Sequence, residues 1–198
     1  EKLLAVSKTS NSPYPLRVIK TAEVNAFAIP GWNLYVQTGL IKFADNEAEM
    51  AAVLAHEIAH AEERHPTQQL SRAMGTQMLL SMVTGDRTGG MANQMVNILA
   101  AGGISAYSRS AELEADSIAV YLMNRAGYDP YALVQFFEKL VQLEQQSGGG
   151  STGMNLFASH PPTPDRIEAA KQLIASFGAQ KASAKNLVGN FNELKQKI

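Results

Sequence analysis

A chain of 198 residues, 45% of them hydrophobic, is long enough for one domain with a full core, and residues 1–198 are read as a single unit. Its net charge of −1 comes without any basic run, which excludes the clustered lysine and arginine that phosphate contacts require, so nucleic acid is not an expected partner. The absence of cysteine excludes disulfides and thiolate metal ligands.

The chain begins at Glu1 without an initiator methionine or apolar leader, which reads as the mature or trimmed form of an exported precursor. No stretch reaches the ~18 consecutive apolar residues of a spanning helix, so this portion is expected to be soluble. Residues 1 to 15 read as a short helix followed by a loop around Thr9-Ser10-Asn11-Ser12-Pro13. From Leu16 to Ile29 the β-branched residues Val18, Ile19, Thr21 and Val24 predict strand; Pro30-Gly31-Trp32-Asn33 is a turn signal before a second strand, Leu34 to Gln37. A small sheet of this kind caps a helical core.

Asp45 or Asn46 is a fitting N-cap for the next helix, with Glu47 and Glu49 placed well against its dipole, and the helix is predicted to run to about Arg64. It carries His56-Glu57-Ile58-Ala59-His60. Histidines four residues apart lie one turn apart on one helix face, where two ring nitrogens can converge on a zinc ion; Glu57 can reach a water at that ion and act as its base. His65 falls ~140° off the ligand face at 100° per residue and is read as a surface or capping histidine. Pro66 marks a break or kink.

From Gln68 to Ile104 the chain is rich in Met, Gly, Ala and Gln, which reads as a helical hairpin with Met as filler or as a mobile lid over the cleft. Ser110 is read as the cap of a following helix that stops near Gly127-Tyr128-Asp129-Pro130. This helix offers a third metal ligand. The extended zinc signature with glycine and a third histidine fails, because Glu63 and Pro66 stand at those positions and His65 is out of register. Between Glu112 and Glu114, Glu112 has Asp116 one turn later on its own face, so one helix can supply both a ligand and a carboxylate that orients a ligating histidine. A helix over Tyr131 to Gln145 presents Phe136, Phe137, Leu140 and Leu143 to the core, and Gln146 to Gly153 is a Gly/Ser-rich loop. Thr163 or Pro164 opens a helix to about Phe177, and a last helix covers roughly Ala184 to Lys197.

Four ordered motifs resemble the zinc metallopeptidases of family forty-eight, which include the CAAX prenyl endoprotease and the bacterial heat-shock membrane protease. They are His56-Glu57-Ile58-Ala59-His60; Ser108-Arg109 with Glu112-Leu113-Glu114-Ala115-Asp116; Ser159-His160-Pro161 with Arg166-Ile167; and Asn25 to Gly31 with Leu34-Tyr35-Val36 and Thr38-Gly39-Leu40. The resemblance covers about residues 16 to 170 and implies a zincin-like domain, mainly α with a small β-sheet (α+β), of the gluzincin type. It implies one zinc per chain on His56, His60 and Glu112, Glu57 as base and Asp116 behind a ligand. It also implies His160 and Arg166 near the metal, as donors to the oxyanion or, for His160, as a fourth ligand. The sheet edge formed by Asn25, Ala26, Phe27, Leu34, Tyr35 and Val36 would pair with an extended substrate backbone.

The expected activity is zinc-dependent hydrolysis of internal peptide bonds, with peptides or unfolded envelope proteins as substrates. The expected compartment is the periplasm or another exported location, and peripheral membrane association is compatible with the resemblance. The alternative is a gated or inactive module that binds unfolded clients, against which Glu57 argues because a structural zinc site has no use for a buried base.

Overall fold

Short elements lie at the front of the chain and longer helices behind them. The computed structural model describes residues 1–8, 15–29, 33–72, 75, 107–146, 159–177 and 189–198. After a short helix α1 (Lys2–Ala5), strands β1 (Leu16–Ile19), β2 (Ala26–Ile29) and β3 (Asn33–Gln37) form a sheet in the order β1-β3-β2. β3 is central, parallel to β1 and antiparallel to β2, with Leu34 opposite both Leu16 and Ala28. The strand predicted over Leu16 to Ile29 is therefore two strands, because β1 and β2 flank β3 on opposite sides and residues 20–25 must carry the chain across.

Alternation then sorts the side chains. Ala26, Ala28, Leu34 and Val36 face the core, while Phe27 stacks on Tyr35 across the other face with ring centroids 5.1 Å apart. A helix not anticipated from the sequence, α2 (Thr38–Phe43), follows β3 directly. Its start is locked to the crossing segment: Gly39 N donates to Thr21 O at 2.9 Å, and a Cβ on Gly39 would lie 2.2 Å from Glu23 O, so the approach requires glycine.

Further helices are α3 (Glu47–Glu62), α4 (Arg109–Ala126), α5 (Tyr131–Gln146), α6 (Pro164–Ser176) and α7 (Gly189–Lys197), and residues 65–72 are helical as well. Asn46 caps α3, its Oδ1 accepting from Glu49 N at 2.9 Å. The α4 cap is Ser108, whose Oγ accepts from Ala111 N; Ser110, read as the cap, lies inside the helix because the helix begins one turn-fraction earlier, at Arg109. Gly127 ends α4 at φ 80°, and Thr163 precedes Pro164 at the start of α6.

α3 packs against α4, α5 and β2, and α6 packs against α4 and α5. One cluster of buried apolar side chains joins sheet and helices through Leu34, Val36, Val53, Phe136, Leu140 and Ile174; Leu143, read as core, is half-buried. No helix among the described residues is long and apolar enough to cross a membrane. Most of the turn at Pro30-Gly31-Trp32-Asn33, most of the hairpin or lid read over 68–104, the Gly/Ser-rich loop beyond Gln146 and the first part of the last predicted helix lie outside the described residues.

Candidate metal centre

Small side chains decide how closely α3 and α4 approach. Ala48, Ala52, Ala55 and Ala59 on α3 and Ala115 and Ala119 on α4 are fully buried, so the two helices can bring His56 and His60 against Glu112 and Asp116. The frame is anchored at the other end of α3, where Glu49 Oε2 accepts from Asp45 N at 2.9 Å and from Lys139 Nζ of α5 at 2.6 Å. Tyr128 Oη donates to Glu47 Oε1 at 2.5 Å.

His56, His60, Glu112 and His160 converge, each offering one ligand atom within 4.8 Å of the others, and all four are buried. His60 Nε2 lies 2.9 Å from His56 Nε2, and His160 Nδ1 lies 3.2 Å from His56 Nε2 and 2.9 Å from Glu112 Oε1. Glu112 Oε1 is 3.3 Å from His60 Nε2, and Glu112 Oε2 is 3.5 Å from His56 Nε2. Ligands at the usual zinc–nitrogen bond length sit about 3.3 Å apart along the edges of a tetrahedron, so these separations fit a tetrahedral cation.

The proton inventory supports the same fit. His56 Nδ1 lies 2.9 Å from Asp116 Oδ1, close but off the line of a hydrogen bond, and His60 Nδ1 lies 2.9 Å from His65 Nδ1; with the proton of each ring on its Nδ1, the two Nε2 atoms that face each other are lone pairs. Lone pairs at that distance repel unless a cation lies between them or one ring is protonated. Without a metal the second outcome prevails at His56: burial opposes its charge, but Asp116 and Glu112 outweigh burial and raise its pKa to about 9. His60, lowered by burial and then by His56 to about 2, stays neutral. Burial also works to raise Glu112, yet His160, His56 and His60 hold it well below the carboxylate range. The buried carboxylates Glu57, Glu112 and Asp116 face one buried guanidinium, Arg166; with neutral histidines a divalent cation would balance the excess.

Glu57 is buried on the same turn as His56, and its carboxyl is raised, foremost by burial, with His160 and His56 opposing. It accepts a backbone hydrogen bond from Ala28. Gln37 N donates to Asn25 O at 3.0 Å, which turns the backbone groups of residues 25 and 27 toward β3 and those of Ala26 and Ala28 toward the outer edge of β2. Glu57 Oε1 has no hydrogen bond and lies 3.5 Å from His160 Nε2.

Arg166 sits beneath the cluster. Its Nε and Nη2 donate to the two oxygens of Asp116 at 2.7 and 2.8 Å, and Nη1 contacts Glu112 Oε2 at 2.6 Å and donates to Pro161 O at 3.0 Å. Beside it a narrow apolar cavity of about 20 Å³ is bounded by Val53, Leu133, Phe136, Phe137 and Leu140.

Two residues lie where the sequence reading did not put them. His65, read as a surface or capping histidine, is buried against His60: α3 ends at Glu62, Arg64 adopts φ 58°, and a new helical stretch starts at His65, so projection along a continuous helix does not apply. Glu114, the rejected ligand, is half-exposed and 3.3 Å from His65 Nε2. Tyr107, which carried no motif, stacks on His60 with ring centroids 4.2 Å apart. Its position directly before the Ser108 cap was the signal available. Of the residues read as a substrate-pairing edge, Leu34, Tyr35 and Val36 lie on β3, which is central and already paired with β1 and β2, so they form no edge; Asn25, Ala26 and Phe27 lie at or on β2, with Ala26 turned inward and Asn25 and Phe27 half-buried.

The sequence model of Peptidase family M48 matches residues 1–174. The chain is 31% identical to the beta-barrel assembly-enhancing protease of Yersinia pestis over 183 residues, covering 86% of this chain and 36% of that protein. It is 32% identical to the mitochondrial metalloendopeptidase OMA1 of Schizosaccharomyces pombe over 169 residues, covering 84% of this chain and 48% of the relative. The Saccharomyces cerevisiae protein of the same name is 35% identical over 150 residues, covering 75% of this chain and 43% of the relative. The chain thus spans about a third to a half of the length of these relatives.

Proposed function

The chain belongs to peptidase family M48, and from that premise we propose that its 198 residues form one metallopeptidase domain that hydrolyses internal peptide bonds. The observation that carries the reading is the convergence of His56 Nε2, His60 Nε2 and Glu112 at tetrahedral edge lengths beside the buried carboxylate of Glu57. In this reading His56, His60 and Glu112 hold one zinc, and Asp116 orients His56 through Nδ1. Zinc, when bound, lowers the pKa of a water to about 7 and polarises a scissile carbonyl.

Glu57 would take a proton from the attacking water as its oxygen adds to the carbonyl carbon, and burial suits it by raising its proton affinity. As the C–N bond breaks, Glu57 delivers the proton to the leaving amine. Ala28 N–H holds the carboxylate in place, and the outer edge of β2 gives an extended substrate a backbone to pair with close to the base. Phe27 and Tyr35, stacked on the sheet's other face, stiffen that edge. The relatives named for β-barrel assembly support envelope proteins as the substrate class and an exported location.

Elemental analysis of the purified protein, paired with a peptide-library digest, tests the reading. One zinc per chain and internal cleavage are expected, with both lost in His60→Ala. Full zinc in His56→Ala and His60→Ala would overturn it.

His160 Nδ1 stands where a fourth ligand would, 2.9 Å from Glu112 Oε1 and 3.2 Å from His56 Nε2. Were zinc bound, imidazole at this place would compete with water for the fourth position. His160→Ala is therefore expected to raise basal proteolysis at unchanged zinc content. A fall in kcat instead would assign His160 to the oxyanion.

A further inference from the structure

The geometry assigns to His65 a role in positioning His60: a chain from His60 through His65 to Glu114 fixes which ring nitrogen of His60 faces the metal position. The inference rests on the proposed ligand role of His60. Glu62 ends α3, Arg64 turns the backbone to φ 58°, and the helical stretch 65–72 restarts with Pro66 in its first turn, which carries His65 back under His60. His65 is 6% exposed, although nothing apolar in an imidazole favours burial without a partner. It has two: Nδ1 is 2.9 Å from His60 Nδ1, and Nε2 is 3.3 Å from Glu114 Oε2.

The protons of this chain can be placed in one consistent way. Glu114 Oε2 accepts at this contact, so a singly protonated His65 ring carries its hydrogen on Nε2 and presents a lone pair at Nδ1. That lone pair accepts from His60, whose proton is then on Nδ1, and His60 Nε2 presents its lone pair to His56 Nε2 and Glu112 at 2.9 and 3.3 Å. The opposite tautomer of either ring would set two N–H groups, or two lone pairs, against each other. Tyr107 lies flat on His60 at 4.2 Å and holds the ring in the plane that this chain requires.

Each α3 histidine thus has its own outer partner. His56 leans directly on Asp116, and His60 leans on His65, with Glu114 behind it. Glu112 and Glu114 of α4 serve the two sides of the same ligand. Because the Glu114 side chain is 54% exposed, water can stand in for it, whereas nothing replaces buried His65.

The test compares zinc affinity, by competition with a chromophoric chelator, in the wild type, His65→Phe and His65→Asn. Phenylalanine fills the volume and removes the acceptor; the asparagine amide oxygen lies close to the place of Nδ1 and restores it. His65→Phe is expected to bind zinc about 10–100-fold more weakly, the usual scale for an outer partner, with His65→Asn recovering most of the loss. Equal affinity in all three, or a weaker asparagine variant than phenylalanine variant, would mean that His65 only fills space. A second measurement needs no metal: two-bond ¹⁵N–¹H spectra of the metal-free wild type should show His65 protonated on Nε2 and His60 on Nδ1. A proton on His65 Nδ1 overturns the inference even if His65→Phe fails to fold. Absence of zinc binding by the wild type, with both tautomers as stated, would count against the ligand reading and leave the chain of hydrogen bonds intact.

Discussion

Glu57→Gln is expected to keep a full complement of zinc and to lose roughly 10²–10⁴-fold in kcat, the range that general-base catalysis supplies. The amide copies the shape of the carboxylate and can still accept from Ala28 N–H, so the side chain keeps its place beside His56 and His160. What it loses is the ability to take a proton. Because Glu57 is 3% exposed and its Oε1 has no hydrogen bond, no second carboxylate and no bulk water stands ready to substitute for it. Glu112 is committed to the cluster and Asp116 to Arg166 and His56. Elemental analysis and a quantitative peptide digest on the same preparation separate the two effects. Unchanged turnover at equal zinc would remove Glu57 as the base.

The parts of this site that can be read from sequence are those set by helix periodicity. His56 and His60 recur at one turn, as do Glu112 and Asp116, and a continuous helix fixes such pairs whatever surrounds them. The choice of Glu112 over Glu114 follows from the same rule, and in the structure Glu112 joins the cluster. His160 and Arg166 have no period connecting them to α3; only resemblance to a family suggested their place. His65 was misread because the relevant event, a left-handed residue at Arg64, is a single backbone dihedral with no composition signal in a non-glycine residue. The order β1-β3-β2 escaped for a related reason. A parallel pair needs a crossing, and residues 20–25 read as a continuation of strand because Thr21 and Val24 are β-branched. The start of α2 was hidden by Gly39, which serves close packing against Glu23 and Ala22 rather than a turn.

Arg166→Met is expected to lower the stability of the metal-free protein by about 3–5 kcal/mol, the scale on which a buried ion pair fails when one partner is removed. The guanidinium is 1% exposed, and four contacts engage its fork: both oxygens of Asp116, Glu112 Oε2 and Pro161 O. Phe137 covers its face at 4.6 Å. Methionine preserves bulk against that ring but strips Glu112 and Asp116 of the guanidinium, leaving the protonated His56 ring to face both carboxylates in the metal-free protein. An oxyanion donor must instead have an N–H aimed at the reacting carbonyl, and a fork already spent on two carboxylates and a backbone oxygen is built for holding. Arg166→Lys separates charge from geometry, since it restores the positive charge without the bidentate grip on Asp116; an intermediate loss is expected. Urea unfolding in the presence of a zinc chelator measures both variants. If Arg166→Met unfolds at the wild-type midpoint while its zinc-loaded form loses kcat, Arg166 acts on the substrate, and the carboxylates must be balanced by something other than its charge.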